Sequence, residues 1–283
     1  MASPSITVPP FVDLRWLQEQ QEGVVVADVR WYLDGSSGRA AYDLGHLPGA
    51  VFIDLDRWLS GQGSPELGRN PLPDPDVFAE GMARAGIGDD DIVVAYDDAG
   101  GVIAARLVWM LRSLGHQAAV LDGGVSGYSG LLEKETPHPT PSSFTARRWP
   151  STFLADIEET MAPGAVVIDA RNRDRFDGKQ DPIDPRPGHI PGAVSVPCRE
   201  NLEPNGRLST PSRVQENFRA AGVESAQGVI SYCGSGVTAC HNLLVMEHIG
   251  LGKGRLFVGG WSQYGHALHL PVETGGHLQD DRS

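Results

Sequence analysis

The chain of 283 residues has few cysteines, few basic residues and no long apolar stretch. Its three cysteines, Cys198, Cys233 and Cys240, form no Cys-x-x-Cys pair, which argues against a disulfide framework or a zinc site. The 23 Lys and Arg residues against 36 Asp and Glu residues give a net charge of −13, which argues against nucleic acid and anionic membranes as partners. No segment approaches the ~18 apolar residues of a membrane span, and residues 1–10 carry no basic side chain. We therefore expect a cytoplasmic protein.

One sequence unit occurs twice. The motif Asp-x-Arg at residues 28–30, followed by Gly-His-Leu-Pro-Gly-Ala-Val at 45–51, recurs at 169–171 and, with Ile in place of Leu, at 188–194. In each copy, short β-rich runs alternate with helical ones. This alternation predicts an α/β fold in two tandem domains, each a mainly parallel sheet flanked by helices.

The two copies differ at one position that matters for chemistry. The run Ile-Val-Val-Ala-Tyr-Asp at residues 92–97 matches the run that ends at Cys233, so Asp97 takes the place of the cysteine in the first copy. Residues 132–150 are rich in Pro, Ser and Thr and predict a surface linker. We therefore expect an inactive domain at residues 1–131 and a catalytic domain at residues 151–283.

Cys233 lies between a predicted strand and a predicted helix. The apolar residues 228–230 favour a buried strand, and residues 237–249 favour a helix. Gly234 and Gly236 allow the backbone between them to curl, so that its amides converge on one point. Such a curl before a helix holds an anion and favours a thiolate. Cys233 is therefore the candidate nucleophile.

The duplicated motif, with a six-residue cysteine loop in the second copy alone, resembles the two-domain rhodanese sulfurtransferases. The loop Cys233 to Thr238 is similar to that of the 3-mercaptopyruvate sulfurtransferases, whereas thiosulfate-using members carry basic residues where this chain has Gly234 and Ser235. Related phosphatases carry an arginine at the position of Ala239, which argues against phosphatase chemistry.

The resemblance implies that sulfur passes from a small donor, through a Cys233 persulfide, to cyanide, a small thiol or thioredoxin. It implies no metal and no organic cofactor. Two alternatives remain open from the sequence: thiosulfate as the main donor, with the same mechanism, and a non-catalytic sulfur-binding or regulatory module.

The donor site is predicted from the loop and two arginines. Its loop residues are Gly234, Gly236, Val237 and Thr238. A carboxylate on the donor calls for guanidinium groups, which offer paired donors in a planar fork. Arg175 lies in an Arg-Phe-x-Gly segment that resembles a carboxylate-binding segment of the family. Arg186 is the second candidate, although the family places its second arginine after a Glu-Pro pair in a longer loop.

The resemblance also implies that Ser235 acts together with a histidine and an aspartate of the first domain. His46 is the candidate histidine, and Asp34 or Asp43 is the candidate acid. Because His189 has the same position in the second copy, the alternative is that both histidines support a turn. Cys198 and Cys240 are predicted to be packing residues.

Overall fold

The computed structural model describes residues 8–20, 23–179 and 181–275 and divides into two compact units. Within the described residues, the first unit comprises the chain up to residue 61, together with 73–150 and 202–208. The second comprises 62–72, 151–201 and the chain from residue 209 onward. The predicted domains, residues 1–131 and 151–283, assign the short segments 62–72 and 202–208 to the opposite units. No pattern in the sequence marks these two segments.

The first unit contains a five-stranded sheet in the order β1-β5-β4-β2-β3, and every neighbouring pair of strands is parallel. Its strands are β1 (Phe11–Val12), β2 (Val24–Asp28), β3 (Val51–Phe52), β4 (Ile92–Tyr96) and β5 (Ala118–Leu121). Its helices are α1 (Leu14–Glu19), α2 (Gly38–Leu44), α3 (Pro75–Arg84) and α4 (Ala105–Ser113), with a π-helical turn at Leu55–Leu59 and a 3-10 turn at Val125–Gly127.

The second unit repeats this topology, with the strand order β6-β10-β9-β7-β8 and parallel pairs throughout. Its strands are β6 (Leu154–Ala155), β7 (Val166–Asp169), β8 (Val194–Ser195), β9 (Val229–Tyr232) and β10 (Arg255–Phe257). Its helices are α5 (Arg173–Phe176), α6 (Pro211–Ala220), α7 (Ala239–His248) and α8 (Gly260–Tyr264), with 3-10 turns at Ser151–Phe153, Glu159–Met161 and Cys198–Asn201. The predicted fold, two α/β domains with parallel sheets, is confirmed.

Burial explains why the central strands are almost purely apolar. Residues 93–96 of β4 and residues 229–232 of β9 are all at most 1 % exposed, because helices cover both faces of a parallel sheet. In the part of the chain that the structure describes, no helix has the length and apolar character needed to cross a membrane.

The duplicated motif has a structural role that is the same in both units. Arg30 donates to the Asp28 carboxylate at 2.6 Å and to the Gly45 carbonyl at 2.8 Å. Arg171 binds the equivalent aspartate and glycine, each at 2.7 Å. In each unit this buried pair ties the end of a strand to the Gly-His turn that follows it in the motif.

The predicted linker is ordered along the first unit. Phe144 is 9 % exposed, Thr145 donates its backbone N–H to Asp89 at 3.0 Å, and the Trp149 indole donates to the Pro73 carbonyl at 2.8 Å. Residues 137–150 form no helix or strand, as their proline content predicts.

Candidate active site

Cys233 directly follows the central strand of the second sheet. The predicted strand at 228–230 is observed as β9, one residue later and two residues longer at its end, and the predicted helix is observed as α7. Cys233 lies in the bend between them and is 2 % exposed. The sequence therefore located both the strand and the helix that position the thiol.

The backbone of the cysteine loop is fixed by the first turn of α8. The carbonyls of Cys233 and Gly234 accept hydrogen bonds from the backbone amides of Trp261 and Ser262, both at 2.8 Å. Gly236 has φ +74°, and a Cβ there would lie 2.4 Å from the Val258 carbonyl oxygen. This position therefore accepts glycine alone.

The equivalent loop of the first unit surrounds the side chain of Asp97, and burial raises the pKa of that carboxyl group. The Asp97 carboxylate is fully buried and accepts four backbone N–H groups at 2.7–2.9 Å, those of Ala99, Gly101, Ile103 and Ala104. The backbone amides of the loop after the central strand therefore point to the side chain of Asp97, the first residue of the loop. Such a convergence of amides is the kind of anion cradle that the sequence predicts around Cys233 in the second unit.

Arg175 lies beside the cysteine loop, as its motif predicts. Its Nη2 and Nη1 atoms are 3.3 and 3.4 Å from the position that a Cβ on Gly234 would take. Asp181 accepts from its Nε and Nη2 atoms, each at 3.2 Å, and Asp184 accepts from Nη2 at 2.5 Å. Both carboxylates are fully buried, whereas the Arg175 side chain is 19 % exposed.

Arg186, the second arginine predicted to bind the donor, is hydrogen-bonded to the backbone. Its guanidinium donates to four backbone carbonyls at 2.9–3.1 Å, those of Tyr264, Gly265, Ala267 and Leu270. Four of its five N–H groups are therefore occupied in holding the chain after α8. The geometry gives Arg186 a structural role.

Arg69 is a site residue that sequence reasoning missed. It belongs to the segment 62–72 of the second unit, and its Nη2 atom is 2.8 Å from the position that a Cβ on Gly234 would take. Its Nη1 atom forms an ion pair with the buried carboxylate of Asp184. No motif marks this segment, so only its packing in the folded chain reveals Arg69.

His46, the histidine predicted to act with Ser235, is buried in the first unit. Its side chain has no exposed surface and stacks on Tyr42 with a 3.9 Å separation of ring centroids. His189 stacks on Phe176 in the same way, at 3.6 Å. This equivalent packing favours the alternative interpretation, that both histidines support a turn.

The two candidate acids for His46 are also engaged elsewhere. Asp43 forms an exposed ion pair with Arg39 at 2.8 Å, and Asp34 accepts the backbone N–H of Ser36 at 2.9 Å. Among the described residues, neither carboxylate is hydrogen-bonded to His46, whose Nδ1 atom faces the Tyr42 carbonyl of the preceding helix at 3.0 Å.

The remaining loop residues differ in what their side chains can do. Ser235 is 6 % exposed, and its hydroxyl has no hydrogen-bond partner among the described residues. The Val237 side chain is 2 % exposed and packs inward. The Thr238 hydroxyl is hydrogen-bonded to Cys198, and burial raises the pKa of that thiol to about 12. Ser235 is thus the loop side chain that remains available to a ligand.

The other two cysteines are in packing environments. Cys198 is 3 % exposed and Cys240 has no exposed surface. The Cys240 thiol donates to the Gly236 carbonyl at 3.3 Å, which ties α7 to the loop. These contacts agree with the predicted packing roles.

The charges around the loop balance. Three arginines face three buried aspartates in one connected network of Arg69, Arg171, Arg175, Asp169, Asp181 and Asp184. The site is therefore not strongly cationic, although two guanidinium groups touch the loop itself. It suits a ligand with a single negative charge better than one with two.

Comparison with known proteins follows the same division of the chain. A family model described as a rhodanese-like domain matches residues 13–131 and again residues 153–267. The chain is 38 % identical, over 89 % of its length and 93 % of the relative, to a protein of Pseudomonas aeruginosa named as a probable 3-mercaptopyruvate sulfurtransferase. It is 33 % identical, over 93 % of its length and 95 % of the relative, to a protein of Mycobacterium tuberculosis named as a putative thiosulfate sulfurtransferase.

A solved structure shares the fold of the whole chain. The 3-mercaptopyruvate sulfurtransferase from Leishmania major superposes with a TM-score of 0.85 at 30 % sequence identity. The match covers 95 % of this chain and 78 % of that one.

Proposed function

The chain belongs to the family of proteins built from rhodanese-like domains, and we propose that it is a sulfurtransferase that takes sulfur from 3-mercaptopyruvate through a persulfide on Cys233. The observation that carries this proposal is the position of Cys233, which follows the central strand where the sister unit binds a carboxylate with four amides. A loop of this kind stabilises a thiolate and a persulfide anion by the same dipoles.

The proposed chemistry divides one transfer into two displacements at sulfur. The Cys233 thiolate attacks the sulfur of the donor, and an S–S bond forms as the C–S bond breaks. The electron pair of that bond goes to carbon, which takes the former thiol proton, so that pyruvate leaves and a persulfide anion stays on Cys233. The acceptor then attacks the outer sulfur, and cleavage of the S–S bond returns the thiolate.

Three groups are proposed to hold the donor. Arg175 binds its carboxylate, because the guanidinium lies beside Gly234 and its Nη1 atom has no hydrogen-bond partner among the described residues. The Ser235 hydroxyl donates to the carbonyl oxygen or sulfur of the donor. The backbone of Gly236, Val237 and Thr238 completes the cradle, with no role for the two larger side chains.

The balanced charge of the site supports 3-mercaptopyruvate as the donor. The site contains a network in which three arginines meet three aspartates. A thiolate together with a monoanionic donor adds two negative charges to it, whereas a thiolate together with thiosulfate adds three. Each further charge costs interaction free energy in a partly buried site. The second candidate function is thiosulfate sulfurtransfer by the same mechanism, which the name of the M. tuberculosis relative favours.

We propose cyanide, small thiols and thioredoxin as acceptors, because each is a nucleophile toward the outer sulfur of a persulfide. Such a reaction belongs in the cytoplasm, where thiols are kept reduced.

Steady-state kinetics test the proposal directly. We expect a higher kcat/KM with 3-mercaptopyruvate than with thiosulfate, with cyanide as the common acceptor, and no turnover for Cys233→Ser. A preference for thiosulfate would favour the second candidate function. A folded wild-type protein that turns over neither donor would instead indicate a non-catalytic sulfur-binding module.

A further inference from the structure

We propose that the second unit has a separate binding site, for an aromatic α-amino acid, at one edge of its sheet. The site is a cavity of about 500 Å³ along β8, which is the edge strand of the order β6-β10-β9-β7-β8. This volume lies in the range of small-molecule sites. None of the described residues of the cysteine loop lines the cavity, so binding there can be tested independently of sulfur transfer.

One sequence difference between the two units lies at this cavity. The duplicated motif aligns Phe52 with Ser195, and the sheet register agrees, because each residue pairs with the aspartate of the Asp-x-Arg motif in its unit. The Phe52 ring packs against Tyr42, with 5.4 Å between the ring centroids. Ser195 has no ring and lines the cavity. The ring of a ligand can therefore take the place that a side chain takes in the first unit.

The interior suits an aromatic ring that carries a polar group. The Ser195 hydroxyl oxygen is buried and has no hydrogen-bond partner among the described residues. Buried hydroxyls are normally paired, so this one indicates a place for a polar group of a ligand. A phenolic hydroxyl, which can both donate and accept, would satisfy it. The apolar residues of the lining are Phe176, Val194, Val196, Pro197, Ala220 and Ala221.

The opening of the cavity carries an ion pair that a ligand can replace. Arg173 and Glu200 line the cavity with side chains that are 59 % and 46 % exposed, so they stand at its mouth. The Nε and Nη2 atoms of Arg173 donate to the two carboxylate oxygens of Glu200, each at 2.7 Å. An exposed pair of this kind contributes little to stability. The carboxylate of an amino acid can therefore bind Arg173 while its ammonium group binds Glu200.

The charges at the mouth balance, which favours a zwitterion over a ligand with a net charge. Asp177 also lines the cavity, and its carboxylate pairs with the Lys179 ammonium group at 2.8 Å. Two cations and two anions thus surround the opening. An α-amino acid presents one charge of each sign on adjacent atoms of a single carbon.

The floor of the cavity is fixed by a chain of side-chain amides. The Asn201 amide donates to the Asn242 oxygen at 3.0 Å, and the Asn242 amide donates to the Val196 carbonyl at 2.7 Å. The Asn217 amide donates to the Asn201 oxygen at 3.3 Å. Asn201 and Asn242 have no exposed surface. A cavity built in this way needs little ordering when a ligand binds.

Titration calorimetry of the full chain tests the site with three probes. L-Tyrosine has the ring and both charged groups, tyramine lacks the carboxylate, and L-alanine lacks the ring. We expect one L-tyrosine per chain with a Kd of about 1 mM or lower, as is typical of a ligand of this size. Tyramine should bind about three- to fivefold more weakly, the effect of one exposed ion pair, and L-alanine should show no saturable binding.

Two variants locate the binding at this cavity. Ser195→Phe supplies the ring that the first unit carries and should abolish L-tyrosine binding, with urea unfolding as the check that the variant is folded. Glu200→Gln changes an exposed side chain, so it tests the site even if Ser195→Phe does not fold. It should weaken L-tyrosine binding about three- to fivefold. The control Glu158→Gln, exposed beyond β6 at the opposite edge of the sheet, should bind as the wild type does.

Several outcomes would overturn the inference. Absence of saturable L-tyrosine binding to the wild type, or equal binding of L-alanine, would show that the cavity does not take an aromatic ring. Unchanged binding by folded Ser195→Phe would place the ligand elsewhere. Equal affinity for tyramine, or unchanged binding by Glu200→Gln, would contradict recognition of the zwitterion.

Discussion

Asp97 and Cys233 occupy the same point of two equivalent sheets, each directly after the central strand. In the first unit the position carries an aspartate side chain that accepts hydrogen bonds from four backbone amides. In the second it carries the thiol of Cys233, the proposed nucleophile. The same loop position thus has a structural role in one unit and a proposed catalytic role in the other.

Asp97→Ala should destabilise the first unit, because it removes the carboxylate acceptor of the three buried amides of Gly101, Ile103 and Ala104. We expect a loss of at least about 3 kcal/mol in the free energy of unfolding, measured by urea denaturation. The exposed residue Asp90 offers a matched control, and Asp90→Ala should change stability by less than about 0.5 kcal/mol. Similar stability of the two variants would show that the amides find other partners, such as water.

Arg186→Ala should lower stability and leave donor specificity unchanged. The variant removes the donors of four carbonyl acceptors, which should cost about 2–4 kcal/mol in the free energy of unfolding. Arg219, exposed on α6, gives the control Arg219→Ala. If Arg186→Ala instead raised KM for 3-mercaptopyruvate in a folded protein, the structural role assigned here would be incorrect.

Stability should fall with decreasing pH, in part because of His241. Burial lowers the pKa of His241 to about 3, from 6.5 in an unfolded chain. Below pH 6.5 the unfolded chain binds a proton at this histidine that the folded chain does not bind. The free energy of unfolding therefore decreases by about 1.4 kcal/mol for each pH unit below 6.5. Urea denaturation between pH 7.5 and 5 should show a shallower dependence for His241→Gln. The exposed control His138→Gln should retain the wild-type slope.

Asp184→Asn should shift the donor preference toward thiosulfate. The change removes one negative charge between Arg69 and Arg175, which favours a dianion over a monoanion by about 1 kcal/mol, or about fivefold in the ratio of kcat/KM values. The variant should also hold the two arginines less firmly and thereby lower kcat/KM for both donors. The ratio of the two kcat/KM values is therefore the informative quantity. An unchanged ratio would indicate that the charge of this network does not select the donor.

Much of the fold could be predicted because its signals are local or repeated. The β-rich runs that indicate parallel sheets form strands such as β2 and β4, since buried parallel strands are continuous apolar runs between turns. The Asp-x-Arg and Gly-His motifs recur because each unit needs the same buried ion pair and the same stacked histidine.

The predictions of the site were less complete, since they concern side chains rather than patterns. Cys233 and Arg175 lie in recognisable segments, and the structure places both at the same loop. The motif of His46 suited either catalysis or packing, and its burial against Tyr42 favours packing. Arg69 could not be predicted, because its contact with Ser262 joins residues 193 positions apart.

The most direct test of the account is mass spectrometry of the protein after treatment with 3-mercaptopyruvate and without an acceptor. Cys233 and Cys240 lie on one tryptic peptide, residues 220–253, so fragmentation must locate the modification. We predict the mass of one added sulfur atom on Cys233, its removal by cyanide, and no addition in Cys233→Ser. Sulfur on Cys198 or Cys240, or none on any cysteine of a folded protein, would contradict the proposed mechanism.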